Sequence, residues 1–142
     1  MPSAPVAKAS AAAGTGDNVG LLVGFIRVEN VTITNCYVEG GTVSGDSSVG
    51  GLLGWNYYGT ITNCYATANV SGTGDYVGGL LGRNSGIITN CYSTGSVSGD
   101  WYIGGLVGDS WHGKISACYS RANVAGRGYV GGLVGDNYAM IY

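Results

Sequence analysis

The sequence predicts an all-β protein, a parallel β-solenoid (β-helix) of about four coils of ~27 residues plus a partial fifth. Three observations predict this fold. Glycine supplies 28 of the 142 residues, charged residues make up only 10%, and three short sequence blocks recur with a period near 27. Glycine inside a helix costs about 1 kcal/mol per position, so this composition excludes helical bundles and coiled coils. Recurrence at this period indicates structural units that stack on one another.

The first recurring block is an apolar residue, two glycines, two aliphatic residues and a glycine. It is found at Val49–Gly54, Val77–Gly82, Ile103–Gly108 and Val130–Gly135, with a looser copy at Val19–Gly24. One coil cannot bury its apolar face alone, so equivalent residues of successive blocks must form the core together. The leucines of this block are therefore predicted to stack in a ladder that comprises Leu52, Leu80, Leu106 and Leu133.

Two further blocks recur in the same order. The second is Thr-Asn-Cys-Tyr, at Thr34–Tyr37, Thr62–Tyr65 and Thr89–Tyr92, with the variant Ser-Ala-Cys-Tyr at Ser116–Tyr119. The third begins at Val43, Val70, Val97 and Val124, each 27 residues after the last, whereas the cysteines of the second block are spaced by 28, 27 and 27. Inserted residues collect between the blocks, at Arg27–Val31 and Trp55–Tyr58, where loops are predicted.

Each repeat divides into three segments of about nine residues, and each segment is an apolar or β-branched run closed by Gly, Asn or Asp. Such runs are typical of short strands joined by turns, so three strands per coil are predicted. Coils would hydrogen-bond at a spacing of about 4.8 Å, and the crossover rule favours a right-handed winding. The paired glycines are expected to permit tight corners or positive φ. Residues 1–17 form an Ala-, Ser- and Gly-rich tail, and the solenoid repeats occupy residues 18–142.

The four cysteines occupy one equivalent position in successive coils, so their side chains are predicted to stack in the core. They are Cys36, Cys64, Cys91 and Cys118. One interpretation is a ladder of buried free thiols that act as small apolar groups. The other is disulfide bonding between neighbours such as Cys36 and Cys64, although parallel side chains suit the ~90° disulfide torsion poorly. A zinc site is not predicted, because tetrahedral ligands must converge whereas a ladder gives a line.

A tyrosine follows each cysteine, and alternation along a strand turns these tyrosines outward if the cysteines point inward. The resulting ladder is Tyr37, Tyr65, Tyr92 and Tyr119. Such an exposed aromatic column has two interpretations: it binds a glycan or a protein, or it only covers the sheet. The asparagines that precede the cysteines are predicted turn residues; they are Asn35, Asn63 and Asn90.

Acidic residues precede the first four opening valines or isoleucines, at Asp17, Asp46, Asp75 and Asp100. They are predicted to be turn residues rather than calcium ligands, because no segment has the dense alternating carboxylates of a Ca²⁺ loop. His112 is the only histidine, and both glutamates, Glu29 and Glu39, lie in the first repeat. No catalytic constellation is predicted from them. We expect a protein that is not an enzyme and that uses neither a cofactor nor a metal.

Charge and hydropathy exclude other classes of partner. The net charge is −2, and the six Lys and Arg residues are scattered, so no basic stripe is available for nucleic acid. No apolar run reaches the roughly 20 residues that span a bilayer, so membrane insertion is not predicted. Two formal N-glycosylation sequons begin at Asn30 and Asn69.

The ordered blocks carry a family resemblance. Val-Gly-Gly-Leu-Leu/Val-Gly, then Gly-Thr-Ile-Thr-Asn-Cys-Tyr-Ala-Thr, then Asn-Val-Ser-Gly resembles the GLUG repeat family over residues 19–142. The chain departs from the pattern at both ends, since the first repeat runs long and the fifth stops at Tyr142 before its Asn-Cys-Tyr block. The resemblance implies secreted or cell-surface proteins of bacteria and archaea, including adhesin-like proteins and some surface peptidases. In such proteins it implies a stalk or adhesive module, and it brings no functional residues with it.

These observations predict a non-catalytic extracellular structural protein. The segment Val130–Tyr142 ends in an apolar, aromatic tip rather than a polar cap, and an uncapped solenoid edge favours pairing with another chain. We expect copies of the chain to stack head-to-tail into a surface filament. The predicted contact residues are Tyr138, Met140, Ile141 and Tyr142. The alternative is a stalk or adhesive module of a large cell-surface adhesin, which binds a glycan or protein through the tyrosine ladder.

Overall fold

The computed structural model describes residues 11–13 and 16–142, and this part of the chain contains β-strands, turns and bends but no helix. The strands in chain order are β1 (Ala11–Ala13), β2 (Val23–Ile26), β3 (Thr32–Thr34), β4 (Tyr37–Val38), β5 (Thr42–Gly45), β6 (Val49–Gly50), β7 (Leu53–Asn56), β8 (Thr60–Thr62), β9 (Tyr65–Ala66), β10 (Asn69–Gly72), β11 (Val77–Gly78), β12 (Leu81–Asn84), β13 (Ile87–Thr89), β14 (Tyr92–Ser93), β15 (Ser96–Ser98), β16 (Trp101–Gly104), β17 (Val107–Ser116), β18 (Tyr119–Ser120), β19 (Asn123–Ala125), β20 (Gly128–Gly131) and β21 (Val134–Ile141). Over these residues, no helix has the length and hydrophobicity of a membrane span.

The strands form four sheets, and each sheet collects its strands from successive coils. Sheet A contains β1, β5, β10, β15 and β19; sheet B contains β6, β11, β16 and β20; sheet D contains β4, β9, β14 and β18. Sheet C has two wings, β2–β7–β12 and β3–β8–β13, which meet at the long strand β17, and β21 pairs with β17. Neighbouring strands within the sheets run parallel. The chain therefore visits sheets A, B, C and D in turn, which confirms the predicted parallel β-solenoid of about four coils.

The register of the sheets stacks the residues that the repeat aligned. Partners include Val43 with Val70, Val77 with Ile103, and Ile61 with Ile88. Backbone hydrogen bonds link the predicted leucine ladder: Leu52 N to Leu80 O at 3.0 Å, Leu80 N to Leu106 O at 2.9 Å, and Leu106 N to Leu133 O at 2.8 Å. These side chains are buried, except for the partly buried Leu133 in the last coil. Each coil thus covers the apolar side chains of its neighbours, as predicted.

A full coil contains five short strands rather than the predicted three, as in β5 to β9. The difference arises because residues with positive φ break the extended backbone at two recurring corners. One corner is at Ser48, Tyr76, Tyr102 and Tyr129, near the start of each sheet B strand; the other is at Asn35, Asn63, Asn90 and Ala117, before each sheet D strand. Asparagine tolerates this left-handed conformation better than most residues with a Cβ. This explains why the Thr-Asn-Cys-Tyr block carries asparagine at its corner.

The paired glycines of the Gly-Gly-Leu motif serve close packing rather than positive φ. Within the described chain, the glycines with positive φ are Gly40, Gly41 and Gly95, and none of them belongs to this motif. A Cβ atom added to Gly51 or Gly79 would overlap the backbone oxygen of the equivalent glycine in the next coil. It would also approach a side chain of the facing wall at 2.9 Å. Glycine is required here because the backbone of the next coil and the facing wall both leave no room for a side chain.

A buried polar ladder lies at the bend between the two wings of sheet C. The Asn56 side chain accepts a hydrogen bond from Gly59 N at 2.8 Å and donates one to Gly59 O at 2.9 Å. It also donates to Asn84 Oδ1 at 2.9 Å. Asn84 bonds the backbone of Gly86 in the same way. In the next coil the register partner is Ser110, whose buried hydroxyl has no hydrogen-bond partner. The fourth coil therefore lacks one rung of the ladder.

Replacing Ser110 with asparagine is expected to stabilise the protein by about 1–2 kcal/mol, because the amide would satisfy the orphaned position and bridge the bend as Asn84 does. Thermal unfolding followed by circular dichroism measures the gain. Ser110→Ala is the control, since it removes the unpaired hydroxyl without adding a bond; it should raise the melting temperature by less than Ser110→Asn does. A lower melting temperature for Ser110→Asn would contradict the ladder interpretation.

Strand β1 lies within the predicted N-terminal tail. Its backbone pairs in parallel with β5, so that Ala12 is the register partner of Val43 at the edge of sheet A. Part of the tail therefore extends the sheet, and the side chains of this strand and residues 1–10, 14 and 15 lie outside the described residues.

Candidate functional site

The predicted tyrosine ladder forms on the outer side of sheet D, at Tyr37, Tyr65, Tyr92 and Tyr119. Successive rings are parallel to within 9°, and their centroids lie 4.8–5.1 Å apart. The two inner rings are therefore covered on both faces by their neighbours. The ladder offers ring edges and hydroxyl groups to solvent, and only the rings at its two ends have a face that no neighbouring tyrosine covers.

Hydrogen bonding fixes the ladder further. The Tyr65 hydroxyl donates to Glu39 Oε1 at 2.8 Å, and burial together with this bond raises the pKa of Tyr65 to about 12. At the far end, the Arg121 guanidinium lies 5.6 Å from the Tyr119 ring centroid. Aromatic recognition of a sugar uses an open ring face, and here each stacked ring covers the face of its neighbour. This arrangement favours the interpretation that the ladder only covers the sheet. Ligand binding by this ladder stays a prediction.

Each cysteine lies between the positive-φ corner and the start of a sheet D strand, and its side chain is on the inner side of the coil. Cys36, Cys64 and Cys91 are buried, Cys118 is partly buried, and all four are free of disulfide bonds. Each thiol donates to the carbonyl oxygen two residues earlier, at 3.1–3.4 Å. Hydrogen bonds with the thiols of Cys118 and Cys64, followed by burial, raise the pKa of Cys91. Of the two arrangements left open by the sequence, the structure has the free-thiol ladder.

The acidic residues before the first four opening valines or isoleucines bond the following coil. Asp17 accepts from Ser47 N at 3.2 Å, Asp46 accepts from Thr73 Oγ1 at 2.7 Å, Asp75 accepts from Trp101 N at 3.3 Å, and Asp100 pairs with Arg127 at 3.4 Å. Their oxygens are engaged in joining coils, which agrees with the predicted turn role. Across residues 11–13 and 16–142, no group of three or more His, Cys, Asp or Glu side chains converges as a metal site would need.

The two insertions that interrupt the repeat meet in space. Arg27 follows β2 and Tyr57 follows β7, and the two strands are register neighbours, with Tyr57 N bonded to Ile26 O at 3.0 Å. Side chains from both insertions line one cleft of about 560 Å³ on the outer side of sheet C. We call it the insertion cleft; its lining residues are Phe25, Arg27, Trp55, Tyr57 and Tyr58.

The rings of the insertion cleft are arranged differently from those of the tyrosine ladder. Phe25 and Trp55 stack at 4.6 Å, but Tyr57 is inclined to Trp55 by 66° and Tyr58 to Tyr57 by 77°. Tyr57 and Tyr58 are 38% and 50% exposed. Partial burial, Tyr57 and the field of Glu29 raise the pKa of Tyr58. Angled, exposed rings form a concave aromatic surface with hydroxyl groups and one guanidinium at hand, which suits a ligand with apolar faces and polar edges.

Arg83 supports the insertion cleft from the next coil. Its guanidinium carbon lies 4.3 Å from the Trp55 ring centroid and 4.4 Å from that of Tyr76, and its Nε is 3.4 Å from Asp109 Oδ2. Burial raises the pKa of Asp109, although the charge of Arg83 opposes that shift. Arg83 also lines a second, smaller cleft of about 230 Å³ together with Asp109 and Asp136. Trp55 is thus held between Phe25 and Arg83, which fixes one wall of the insertion cleft.

The predicted assembly residues all lie on the exposed strand β21 or directly after it. Tyr138, Met140, Ile141 and Tyr142 are each at least 47% exposed. Tyr138 contacts the Trp111 ring at 5.0 Å, and Lys114 Nζ lies 4.8 Å from the Tyr142 ring centroid. Over the described residues, β21 pairs with β17 on one side, so its other edge is open.

The insertion cleft is the feature that sequence reasoning missed. The sequence predicts only loops at Arg27–Val31 and Trp55–Tyr58. Trp55 instead lies in β7, in register with Phe25, so the second insertion is confined to the residues after Asn56. A signal was present, because both insertions follow the same block in consecutive coils, and stacking of consecutive coils places equivalent insertions side by side.

The fold and its ladders define the class of this protein: it is a parallel β-solenoid built from stacked repeats. Within that class it carries the GLUG motif, whose family pattern matches residues 45–71 and 73–98 and confirms the resemblance. A comparison with curated proteins found no match.

Among solved structures, the chain is similar to the crystal structure of a "putative immunoglobulin A1 protease" from Bacteroides ovatus. The two share 26% sequence identity with a TM-score of 0.74. The similarity covers 92% of this chain and 47% of the other, so this chain spans about half the length of that protein. The GLUG repeat and the solenoid fold fit a surface or adhesin-like module.

Proposed function

We propose that this chain is a non-catalytic, extracellular adhesive module of a larger cell-surface protein and that it binds glycans in the insertion cleft. The observation that carries the proposal is that the two insertions interrupting an otherwise regular repeat line a single aromatic cleft. In repeat proteins, insertions collect on the face that binds, while the regular residues maintain the stack. Sugar rings present C–H-rich faces and hydroxyl edges, which complement angled, partly exposed tyrosine rings that have hydroxyl groups at their edges.

The proposal assigns no proteolytic step to this chain. Its only histidine, His112, is exposed and packs edge-on against Trp111 at 5.0 Å, and Asp109 is paired with Arg83. A nucleophile, a base and an orienting acid in mutual contact are what peptide hydrolysis of the serine or cysteine type needs. The chain is similar to about half of a protein named as a protease, and our proposal assigns it an adhesive rather than a catalytic role.

Binding of the unmodified protein to a broad glycan panel tests the proposal. The panel pairs neutral oligosaccharides with carboxylated ones of the same backbone, and hits are measured by isothermal titration calorimetry. Saturable binding to at least one oligosaccharide is expected. A protein that is folded by circular dichroism but binds no member of the panel would overturn the glycan-binding function.

Head-to-tail assembly into a surface filament is a second candidate function. It is supported by the exposed apolar side chains of β21, whose open edge has the hydrogen-bonding groups that a further strand would pair with. In this candidate, copies of the chain continue the parallel sheets across the contact. Negative-stain electron microscopy over a range of concentrations distinguishes the two: long uniform fibres support assembly, and dispersed particles at every concentration reject it.

A further inference from the structure

Arg27 is the charged side chain among the aromatic residues that line the insertion cleft. Arg27 is exposed, lines the cleft, and has its guanidinium carbon 5.8 Å from the Phe25 ring centroid. In the part of the chain that the structure describes, no carboxylate lies within ion-pair distance of it. Its hydrogen-bond donors are therefore directed at solvent within an aromatic cleft.

Arg83, which packs behind the Trp55 wall of the insertion cleft, shows the contrast. Arg83 is covered by the rings of Trp55 and Tyr76 and is neutralised by Asp109 at 3.4 Å. Arg83 thus serves the internal packing of the cleft wall, whereas Arg27 contributes a positive charge with open donors. A planar guanidinium presents two parallel N–H groups that match the two oxygens of a carboxylate.

We propose that the insertion cleft takes an acidic glycan, one whose sugar carboxylate pairs with Arg27 while the sugar ring packs against Tyr57 and Tyr58. This inference rests on the proposed glycan-binding function and names its ligand class. The neighbouring acidic group is Glu29, whose field reaches the Tyr58 hydroxyl. Glu29 sets a limit on affinity for an anion, so Glu29→Gln is expected to strengthen binding of a carboxylated oligosaccharide.

The experiment compares carboxylated oligosaccharides with their carboxyl-reduced counterparts on the wild-type protein and on three arginine variants. Arg27→Gln is expected to weaken binding of the carboxylated ligand by at least about tenfold, because a charge-assisted pair is lost. Arg27→Lys keeps the charge without the planar fork, so its affinity for the carboxylated ligand is expected to lie between those of the wild type and Arg27→Gln. Arg121→Gln is the matched control, since Arg121 is also exposed and lies 5.6 Å from an aromatic ring centroid, on the tyrosine ladder.

Salt supplies a second readout. Raising ionic strength from about 0.1 M to about 1 M shortens the Debye length from about 10 Å to about 3 Å, so binding of the carboxylated ligand should weaken while binding of the reduced ligand should not. Equal binding of the two ligands, or full binding by Arg27→Gln, would overturn this inference and leave the glycan-binding function standing. An equal loss in Arg121→Gln would also overturn it. No binding of either ligand by the wild-type protein would overturn this inference, and no binding of any member of the glycan panel would overturn the glycan-binding function as well.

Discussion

Replacing Gly79 with valine is expected to destabilise the protein by about 3–5 kcal/mol, which lowers the melting temperature by about 10 °C or more. The cause is the close approach of the next coil's backbone, together with that of the facing wall. A Cβ atom at Gly79 would overlap the carbonyl oxygen of Gly105 and lie 2.9 Å from Ser93 Cβ. Gly79 N also donates to that same carbonyl oxygen at 3.1 Å, so the backbone cannot retreat without breaking the ladder.

Thr73→Val is the control for this substitution. Thr73 is exposed, and its hydroxyl bonds Asp46 Oδ1 at 2.7 Å on the surface, so its replacement should cost no more than about 1 kcal/mol. Thermal and urea unfolding of both variants measure the difference. Equal losses at the two positions would show that the glycine ladder is not where the walls approach.

Replacing Tyr57 with alanine is expected to weaken glycan binding by at least about tenfold, because Tyr57 is the central ring of the insertion cleft and contacts both Trp55 and Tyr58. The effect on stability should be small, since Tyr57 is 38% exposed and lies in an insertion outside the core. Calorimetric titration of the best oligosaccharide from the panel measures the change.

Tyr65→Ala separates the insertion cleft from the tyrosine ladder. The Tyr65 ring is stacked between two neighbours and its hydroxyl donates to Glu39, so neither is open to a ligand. The affinity of Tyr65→Ala for the oligosaccharide should therefore stay near that of the wild type. Circular dichroism confirms that both variants are folded. If Tyr65→Ala loses binding while Tyr57→Ala retains it, the ladder is the binding site and the insertion cleft is not.

The stacking of the coils could be predicted because a parallel solenoid places residue i directly beside its equivalent in the next coil. The valines spaced by 27 residues pair as Val43 with Val70 and as Val70 with Val97. The same rule set the tyrosine ladder and the burial of the preceding cysteines, since alternation along a strand decides which side chains point inward. Register and core thus followed from the periodicity, and the fold class followed from the periodicity together with the composition.

The number of strands per coil and the role of the paired glycines could not be predicted in the same way. Both depend on the cross-section of the coil, which sets how close Gly79 comes to Ser93 on the facing wall. Residues 14 positions apart are not related by the repeat, so the period contains no information about that distance. The unpaired hydroxyl of Ser110 could not be predicted either, because its burial follows from the bend in sheet C.

The sequence by itself determined that this protein is a stack of coils with aliphatic, cysteine and tyrosine ladders in fixed register, because those contacts join equivalent residues. Only the tertiary structure decided which surface is suited to a ligand. In the folded chain Tyr65 is stacked between its neighbours, so its ring faces are covered. Arg27 and Tyr57, which belong to adjacent coils, line the same cleft. The physical reason is that ring orientation and loop placement depend on side-chain packing around the insertions, where the repeat no longer constrains the chain.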